Sequence, residues 1–482
     1  MSVTELFRIG MGYLKGGLII GTLFVLLCFL GYGVVYRKLC KGRKKLPFPR
    51  LLWWGILIAY FGVVVGVTLL LRGSYYGYAN DVIHPLFYSY REAWIHWSAA
   101  AWRNIIFNFC MFVPLGIWLP VGFKAFRKFW RTYLAGFMVT LLIETVQLVT
   151  HRGIFEWDDV LGNTVGTMIG YGMFAAGYLL WYAASRRKRG RGFSVANVLA
   201  TQIPLVLTIL GFAVIWGIYE RQELGNNPNG YVEALDKSFI AMTGRDNFSN
   251  AEMQLPVYRV QTLTVQEARE KGEEILANLN AEVDEGRTIV YDNTLVLYSQ
   301  SSRYTLWLTY QGGEYDLTDF DVTFPEEGER GSTVAGAEEE TIREALRDIG
   351  MYVPEDAKFT EYHPGGYRFD ADMLAYQGIK LNGALTCEYY GEAGIAHVKN
   401  SIISCMPYKE FLAISEQEAY EKIENGEFSY PQGTEAAIEV QSCGIKYSID
   451  SKGFYQPDYC FDCMINGKAG EIRIPALKGN SK

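Results

Sequence analysis

The chain has 482 residues, half of them hydrophobic, and a formal net charge of −7 at pH 7. The charge is unevenly divided, because residues 1–219 contain 22 Lys or Arg and 7 Asp or Glu, whereas residues 220–482 contain 23 and 45. This division excludes a soluble protein of uniform composition. The acidic excess argues against nucleic acid as a partner.

The first half contains apolar segments that are long enough to cross a bilayer. A spanning helix needs about 20 mostly apolar residues, and residues 51–71 supply them without a single charge. The predicted spans are residues 17–36, 51–71, 105–123, 133–150, 160–184 and 203–219. We therefore predict an all-α polytopic membrane domain with six transmembrane helices over residues 1–219.

Basic residues indicate how these helices are oriented. Residues 37–50 contain seven Lys or Arg, residues 124–131 four and residues 186–191 five. Short cytoplasmic loops are enriched in basic residues, and these three loops follow the first, third and fifth predicted spans. The pattern predicts that the N-terminus and everything from residue 220 onward lie outside the cytoplasm.

Polar side chains collect at the outer end of the predicted spans. Ionisable and amide groups in a membrane usually face an interior or a cavity. Glu144 and Gln147 share one helix face, and Asp159 and Asn163 share another. Asn108, Arg152 and Asp158 belong to the same outer end. Two interpretations stay open: a ligand or catalytic site, or a structural set in which Glu144 pairs with Arg152 and amides join the helices.

Glycines at four-residue spacing accompany this polar set. Gly162, Gly166 and Gly170 form a stripe on the fifth predicted span. Small residues allow a neighbouring helix to approach closely, so we expect tight helix packing beside the polar side chains.

Two motifs resemble the VanZ-like family of membrane proteins over about residues 50–185. The first runs from Ser89 to Pro120 and includes Arg-Asn-Ile-Ile-Phe-Asn-Phe-Cys-Met-Phe-Val-Pro-Leu-Gly; the second is Glu144-Thr-Val-Gln147, then Arg152, then Asp158-Asp159-Val-Leu-Gly-Asn163-Thr-Val-Gly166. The matching positions are Ser89, Arg91, Asn108, Pro114, Gly116, Glu144, Gln147, Arg152, Asp158, Asp159, Asn163 and Gly166. The resemblance implies a bacterial plasma-membrane protein associated with resistance to teicoplanin, a lipid-tailed glycopeptide.

The second half has the pattern of a soluble α+β domain. Residues 220–260 are rich in Asn, Gly and Pro and are predicted to be a linker, with the domain itself over residues 261–482. Thr264 and Ser415 each begin a capping box, and residues 288–297, 303–310 and 383–390 are predicted strands. The helix after Ser415 resembles those of PepSY-like and YycH/YycI-like extracytoplasmic domains, which act by binding.

The cysteines do not predict a cofactor. Cys460-Phe-Asp-Cys463 lacks a second such unit, so neither a metal nor another cofactor is expected. Five cysteines lie in the second half, and outside the cell one or two disulfides could form among them.

Three functional hypotheses follow. In the first, the bundle recognises a lipid-linked wall precursor or a lipoglycopeptide among the membrane lipids, with Arg91 and Arg152 holding phosphate or carboxylate groups. Asn108, Gln147, Asp158 and Asn163 complete the candidate ligand-binding residues. In the second, a membrane enzyme uses Glu144 or Asp159 as a general base on such a lipid. In the third, the acidic domain senses an extracytoplasmic protein partner.

Overall fold

A computed structural model describes most of the chain. The described residues are 48–70, 83–151, 153–185, 194–244, 248–291, 293–324, 332–376, 378–431 and 434–479, together with a few positions between 15 and 32. The statements below concern these residues.

The first half is helical. Its helices are α1 (Phe48–Val65, followed by a π-helical turn at Gly66–Leu70), α2 (Tyr88–His96), α3 (Ala99–Gly122), α4 (Phe129–Thr150), α5 (Trp157–Ala184), α6 (Val195–Ala200) and α7 (Ile203–Arg221). Two short strands, β1 (Ile83–His84) and β2 (Phe155–Glu156), pair in parallel beside α2. A 3₁₀ turn at Lys124–Arg127 joins α3 to α4.

Four helical stretches in the described part are long and apolar enough to cross a membrane: Leu52–Leu69, Ala99–Gly122, Phe129–Thr150 and Val195–Arg221. The prediction of six spans is therefore only partly supported. Half of the segment predicted at 17–36 lies outside the described residues. The segment predicted at 160–184 forms helix α5, which has 28 residues and is not among these four.

Helix α5 lies at the centre of the bundle. It packs against α3, α4, α6 and α7, and its buried residues include Gly162, Asn163, Gly166 and Gly170. The predicted glycine stripe is confirmed as a contact surface, because a Cβ atom on Gly166 would lie 2.1 Å from the Phe109 carbonyl oxygen. Helices α3 and α5 thus meet backbone to backbone.

Helices of the bundle alternate in direction. Gly136 of α4 contacts Thr167 of α5, whereas Glu144, farther along α4, reaches Glu156 just before α5 begins. The starts of α3 and α5 and the ends of α4 and α7 therefore lie together at one end. The basic turn at Lys124–Arg127 lies at the opposite end.

Aromatic side chains mark both ends. Near the end of α7, Trp97 stacks on Tyr219 with ring centroids 3.4 Å apart, and Trp94 and Trp216 adjoin this pair. At the basic end, Trp53, Trp54 and Phe123 form a second cluster. Tryptophan and tyrosine are enriched where helices leave a bilayer.

The second half is built on one large sheet. Its strands are β3 (Ile240–Gly244), β4 (Gln254–Val260), β5 (Ile289–Val290), β6 (Thr294–Tyr298), β7 (Tyr304–Thr309), β8 (Tyr315–Asp319), β9 (Lys358–His363), β10 (Gly366–Tyr376), β11 (Ile379–Tyr389), β12 (Ile395–Asn400), β13 (Ile403–Leu412), β14 (Ala436–Ile449), β15 (Phe454–Ile465) and β16 (Lys468–Pro475). In the described part, the order is β3-β14-β15-β4-β13-β11-β12-β8-β7-β6-β5, with β16 beside β15, β10 beside β11 and β9 beside β10. Strands β3 and β4 lie within residues 220–260, so that segment contributes to the sheet.

Helices cover this sheet over two separate cores. They are α8 (Val265–Asn278), α9 (Phe320–Thr323), α10 (Glu339–Asp348) and α11 (Glu416–Glu424), with 3₁₀ turns at Lys237–Phe239 and Gly391–Ala393. Residues of α8 and α10 pack on a core that contains Tyr367 and Phe369. Residues of α11 pack on a second core that contains Tyr459 and Phe461.

Both predicted helix starts are confirmed. Thr264 and Glu267 form a reciprocal capping box at α8, and the Ser415 hydroxyl accepts a hydrogen bond from the Glu418 amide at α11. The central strands β4 and β13, which lead into these helices, pair antiparallel with each other. The sheet domain therefore contains two strand-then-capped-helix units side by side.

The sheet domain is fastened to the end of α7. In the turn between β14 and β15, the Lys452 ammonium donates to the carbonyl oxygens of Tyr219 and Gln222 at 2.7 and 2.6 Å. The Tyr219 hydroxyl donates to the Ser451 hydroxyl at 2.8 Å. The last carbonyls of a helix lack partners within it, so this turn caps α7 from the sheet domain.

Candidate functional site

A network of polar side chains lies where α2, α3, α4 and α5 meet, at the bundle end that adjoins the sheet domain. We call it the polar cluster, and it comprises Ser89, Asn108, Thr140, Glu144, Gln147, Glu156, Asp158, Asp159 and Asn163.

Asp158 anchors the start of helix α2. Its side chain is buried, and its two oxygens accept hydrogen bonds from the amides of Phe87 at 2.6 Å and Ser89 at 2.8 Å. The first amides of a helix have no partners within it and favour negative charge. Asp158 therefore has a clear structural function, and both of its oxygens are occupied.

Glu156 connects three elements. Its carboxylate accepts a hydrogen bond from the Ser89 hydroxyl at 2.7 Å, and its amide donates to the Glu144 carboxylate at 3.2 Å. The pairing of β1 with β2 brings His84 opposite it, with the imidazole Nδ1 3.8 Å from the carboxylate. Glu156 is not among the predicted site residues, although its position two residues before the paired aspartates was a usable signal.

Glu144 and Gln147 lie on the inner face of α4, as their spacing predicts. They are 2% and 1% exposed. The Gln147 amide donates to the Thr68 carbonyl oxygen at 2.9 Å and so ties α4 to the π-helical turn after α1. Thr68 was not predicted, because nothing in an apolar run marks one carbonyl as a partner.

The other face of the cluster belongs to α5. Asn108 of α3 donates to the Asp159 carboxylate, which is half-buried. Asn163 is 2% exposed, and its amide nitrogen donates to the Thr140 hydroxyl at 2.9 Å. The structure thus brings together the predicted residues Asn108, Glu144, Gln147, Asp158, Asp159 and Asn163.

Two buried acceptors of the cluster lack donors. The Gln147 Oε1 and Asn163 Oδ1 atoms have no hydrogen-bond partner in the part of the chain that the structure describes. Burying a polar atom without a hydrogen-bond partner lowers the stability of the fold by about 1–3 kcal/mol. An atom in this state is therefore a candidate for contact with a ligand. These two carbonyl oxygens could accept from a hydroxyl or amine group.

Tyr90 adds a phenol close to the aspartates. Burial, and then the carboxylates of Asp158 and Asp159, raise the pKa of Tyr90. The phenol therefore stays protonated at neutral pH and remains a hydrogen-bond donor.

Two predicted ligand-binding residues stand apart. Arg152 lies outside the described residues. Arg91 is exposed on α2 and lines a cavity of about 360 Å³ between α2 and the sheet domain. Ser89 and Arg91 are two residues apart on one helix and so face different directions, which explains why Ser89 reaches the cluster and Arg91 does not.

One group of potential metal ligands lies in the sheet domain. Among the described residues, the thiol of Cys460 and the carboxylates of Asp462 and Glu471 lie within 4.8 Å of one another. The Glu471 carboxylate already binds Lys446 and Arg473, which reduces its attraction for a cation. The cysteines of this domain are free thiols, and burial raises the pKa of Cys460 to about 12.

Comparisons with known proteins concern mainly the bundle. Residues 56–182 match the family model described as VanZ/LLP1. No curated protein matches the sequence. An uncharacterized protein from Eubacterium rectale aligns with a TM-score of 0.28 and 8% identity, over 50% of this chain and 89% of its own. The Bacillus megaterium YpeB C-terminal domain aligns with a TM-score of 0.22 and 11% identity, over 45% and 95%. Neither score is high enough to assign a shared fold.

The family match covers the polar cluster and ends before α7. The resemblance seen in the two sequence motifs is thereby confirmed, and the β-rich second half lies beyond it. Residues 56–182 thus match the VanZ/LLP1 family model in a region with helices long and apolar enough to cross a membrane, and the sheet domain is an additional, separate part of the same chain.

Proposed function

We propose that this chain is a bacterial cell-envelope protein whose bundle recognises a lipid-linked or amphipathic molecule at the outer leaflet. The candidate molecules are a wall precursor and a lipoglycopeptide such as teicoplanin. In this proposal the N-terminus and the sheet domain lie outside the cytoplasm.

One observation carries the proposal: the carbonyl oxygens of Gln147 and Asn163 have no hydrogen-bond partner among the described residues. They are buried beside the carboxylates of Glu144 and Asp159, so the cluster offers acceptors to a molecule rich in hydroxyl or amine groups. Sugars and peptides of wall precursors and glycopeptides have such donors. An apolar bundle around the cluster suits the lipid part of the same molecule.

The arrangement of the bundle supports the proposed orientation. The polar cluster, the Trp97–Tyr219 stack and the sheet domain share one end, whereas Lys124, Arg127, Lys128 and Arg131 lie at the other. Basic residues favour the cytoplasmic side.

The test is substitution of the two acceptors in the full chain, expressed in a teicoplanin-susceptible bacterium. Gln147→Met and Asn163→Leu remove the side-chain amides at similar volume, both the free carbonyl oxygens and the donors to Thr68 and Thr140. Thr145→Val is the matched control because that hydroxyl lies on the exposed face of α4. We expect both cluster variants to lower the teicoplanin inhibitory concentration to that of the empty vector at equal membrane levels. Unchanged resistance in both would contradict recognition by the cluster.

A second measurement identifies the molecule. Lipids that copurify with the wild-type chain, but not with Gln147→Met or Asn163→Leu, would be detected by mass spectrometry. An enzyme using Glu144 as a general base gives a different result, because Glu144→Gln would then retain the bound lipid and abolish its turnover.

A sensing function is the second candidate, and the junction favours it. The sheet domain contacts α7 through Lys452 and contacts α2 through Asn226, whose side-chain amide donates to the Trp94 carbonyl oxygen. Because Asp158 holds the other end of α2, an event in the sheet domain has a short path to the cluster. A chain ending at Arg221 that retains full resistance would exclude this candidate.

A further inference from the structure

The cavity beside Arg91 is separate from the polar cluster. It lies between helix α2, the segment 226–232, helix α11 and the end of strand β16, and we call it the junction cavity. Its volume of about 360 Å³ is within the usual range of small-ligand sites, about 300–1,000 Å³. It is built partly by the bundle and partly by the sheet domain.

Charge in the junction cavity is positive. Arg91 and Lys422 line it, and neither forms an ion pair within the described residues. The carboxylate of Glu427 also lines it, but this group interacts with the Tyr231 hydroxyl. Burial, and then the Glu427 carboxylate, raise the pKa of Tyr231, whereas the charge of Arg91 opposes that shift. The cavity is therefore lined by two cationic side chains and one carboxylate, that of Glu427, which has the Tyr231 hydroxyl beside it.

The remaining walls are partly polar, from Asn226 and Asn227, and partly apolar. Trp94 and Ile95 come from α2, and Val232, Ile474 and Pro475 come from the sheet domain. Trp94 also belongs to the aromatic cluster around Tyr219 at the end of α7. Such clusters lie at the depth of lipid headgroups, which puts the cavity where a headgroup is available.

We propose that the junction cavity binds a phosphate-bearing lipid headgroup. Arg91 and Lys422 hold the phosphate, since Arg offers a bidentate donor fork and Lys a compact charge. Trp94, Ile95 and the apolar residues of the sheet domain contact the glycerol and first carbons. The bound lipid then bridges α2 and the sheet domain.

The test uses the full chain in nanodiscs of phosphatidylcholine to which phosphatidic acid is added, with bound lipid counted by native mass spectrometry. We expect Arg91→Ala and Lys422→Ala each to weaken phosphatidic acid binding about tenfold or more. Glu427→Gln should strengthen it, because the variant removes the opposing charge. Arg269→Ala is the matched control, since that surface residue pairs with Glu285 away from the cavity.

Competition with inorganic phosphate distinguishes a lipid headgroup from free phosphate as the bound anion. The proposal requires that millimolar phosphate fail to displace phosphatidic acid. Complete displacement would assign the cavity to free phosphate and overturn the lipid, and equal binding by all variants would overturn the site. Circular dichroism of each variant checks that folding is unchanged. Because these substitutions leave Gln147 and Asn163 intact, failure here is distinct from failure of the proposed function.

Discussion

Helices α3 and α5 of the bundle meet backbone to backbone, whereas the sheet domain is filled by large side chains. A Cβ atom on Gly170 would lie 2.0 Å from the Val113 carbonyl oxygen. In the sheet domain, Tyr367, Phe369, Tyr459 and Phe461 are among the largest fully buried side chains. Helices in lipid gain little from burying apolar area and depend on close packing, but a domain in water is stabilised by that burial. The two halves should therefore respond to opposite kinds of substitution.

The largest effect should follow from enlarging a bundle glycine. Gly166→Leu and Gly170→Leu force α3 and α5 apart, and we expect a loss of more than about 5 kcal/mol, with little folded protein recovered. Gly177→Leu is the control on the same helix, because a Cβ at Gly177 meets no atom within 4 Å. Fluorescence-detected size exclusion after heating in detergent measures the difference. Equal stability of Gly170→Leu and Gly177→Leu would show that the close contact is unimportant.

Removing a large side chain should be the damaging change in the sheet domain. Phe369→Ala and Phe461→Ala each empty one of the two cores, at a cost of about 3–5 kcal/mol. Trp307→Ala, at a residue 47% exposed, should cost much less. Thermal unfolding followed by circular dichroism tests this. The same melting curves show whether the two cores unfold together. A single transition in both variants would mean that the continuous sheet couples the two cores.

A smaller effect should follow from changing the anchor of α2. Asp158→Asn turns an amide donor toward a backbone amide, and we expect a loss of about 1–3 kcal/mol. Hydrogen exchange at Phe87 and Ser89 should become faster. Glu92→Gln on the exposed face of α2 is the control. Unchanged exchange in Asp158→Asn would mean that the helix is held by other contacts.

The smallest effect concerns pH and a surface pair of the sheet domain. The hydrogen bond to Asp316 raises the pKa of His397 above its ordinary value, although burial opposes this. A raised pKa means that the pair stabilises the domain fully below pH about 6.5 and that this contribution is lost as pH rises through the folded pKa. Both side chains are 40% exposed, so we expect less than about 1 kcal/mol. His397→Gln should flatten the dependence of melting temperature on pH between about 6 and 8, and an identical slope would contradict this account.

Local patterns in the sequence predicted the parts of the fold that depend on near neighbours. The predicted helix starts at Thr264 and Ser415 are present, the first with a full capping box and the second with a Ser415 cap, and the spacing of Glu144 and Gln147 puts both on one buried face. The glycine stripe predicted close packing because glycine spacing on one helix is enough to define a smooth surface.

Contacts between distant segments were not predictable in this way. Glu156 contacts Ser89 and Glu144, which are 67 and 12 residues away in the sequence, and no local pattern specifies these partners. Arg91 lies two residues after Ser89 on α2 and therefore faces away from the polar cluster. The pairing of β4 with β13 joins segments about 150 residues apart, and no alternating pattern specifies which strand is the neighbour.

Helix α2 is secured at both ends, by Asp158 at its start and by Asn226 at the Trp94 carbonyl oxygen. Lys452 and Ser451 meanwhile hold the last turn of α7 without using the peptide chain that follows it. These side-chain contacts therefore add to the covalent link at Gln222. Bundle and sheet domain should assemble from two separately translated polypeptides, and a protease that cleaves only at this link should leave the halves together until the pair is denatured.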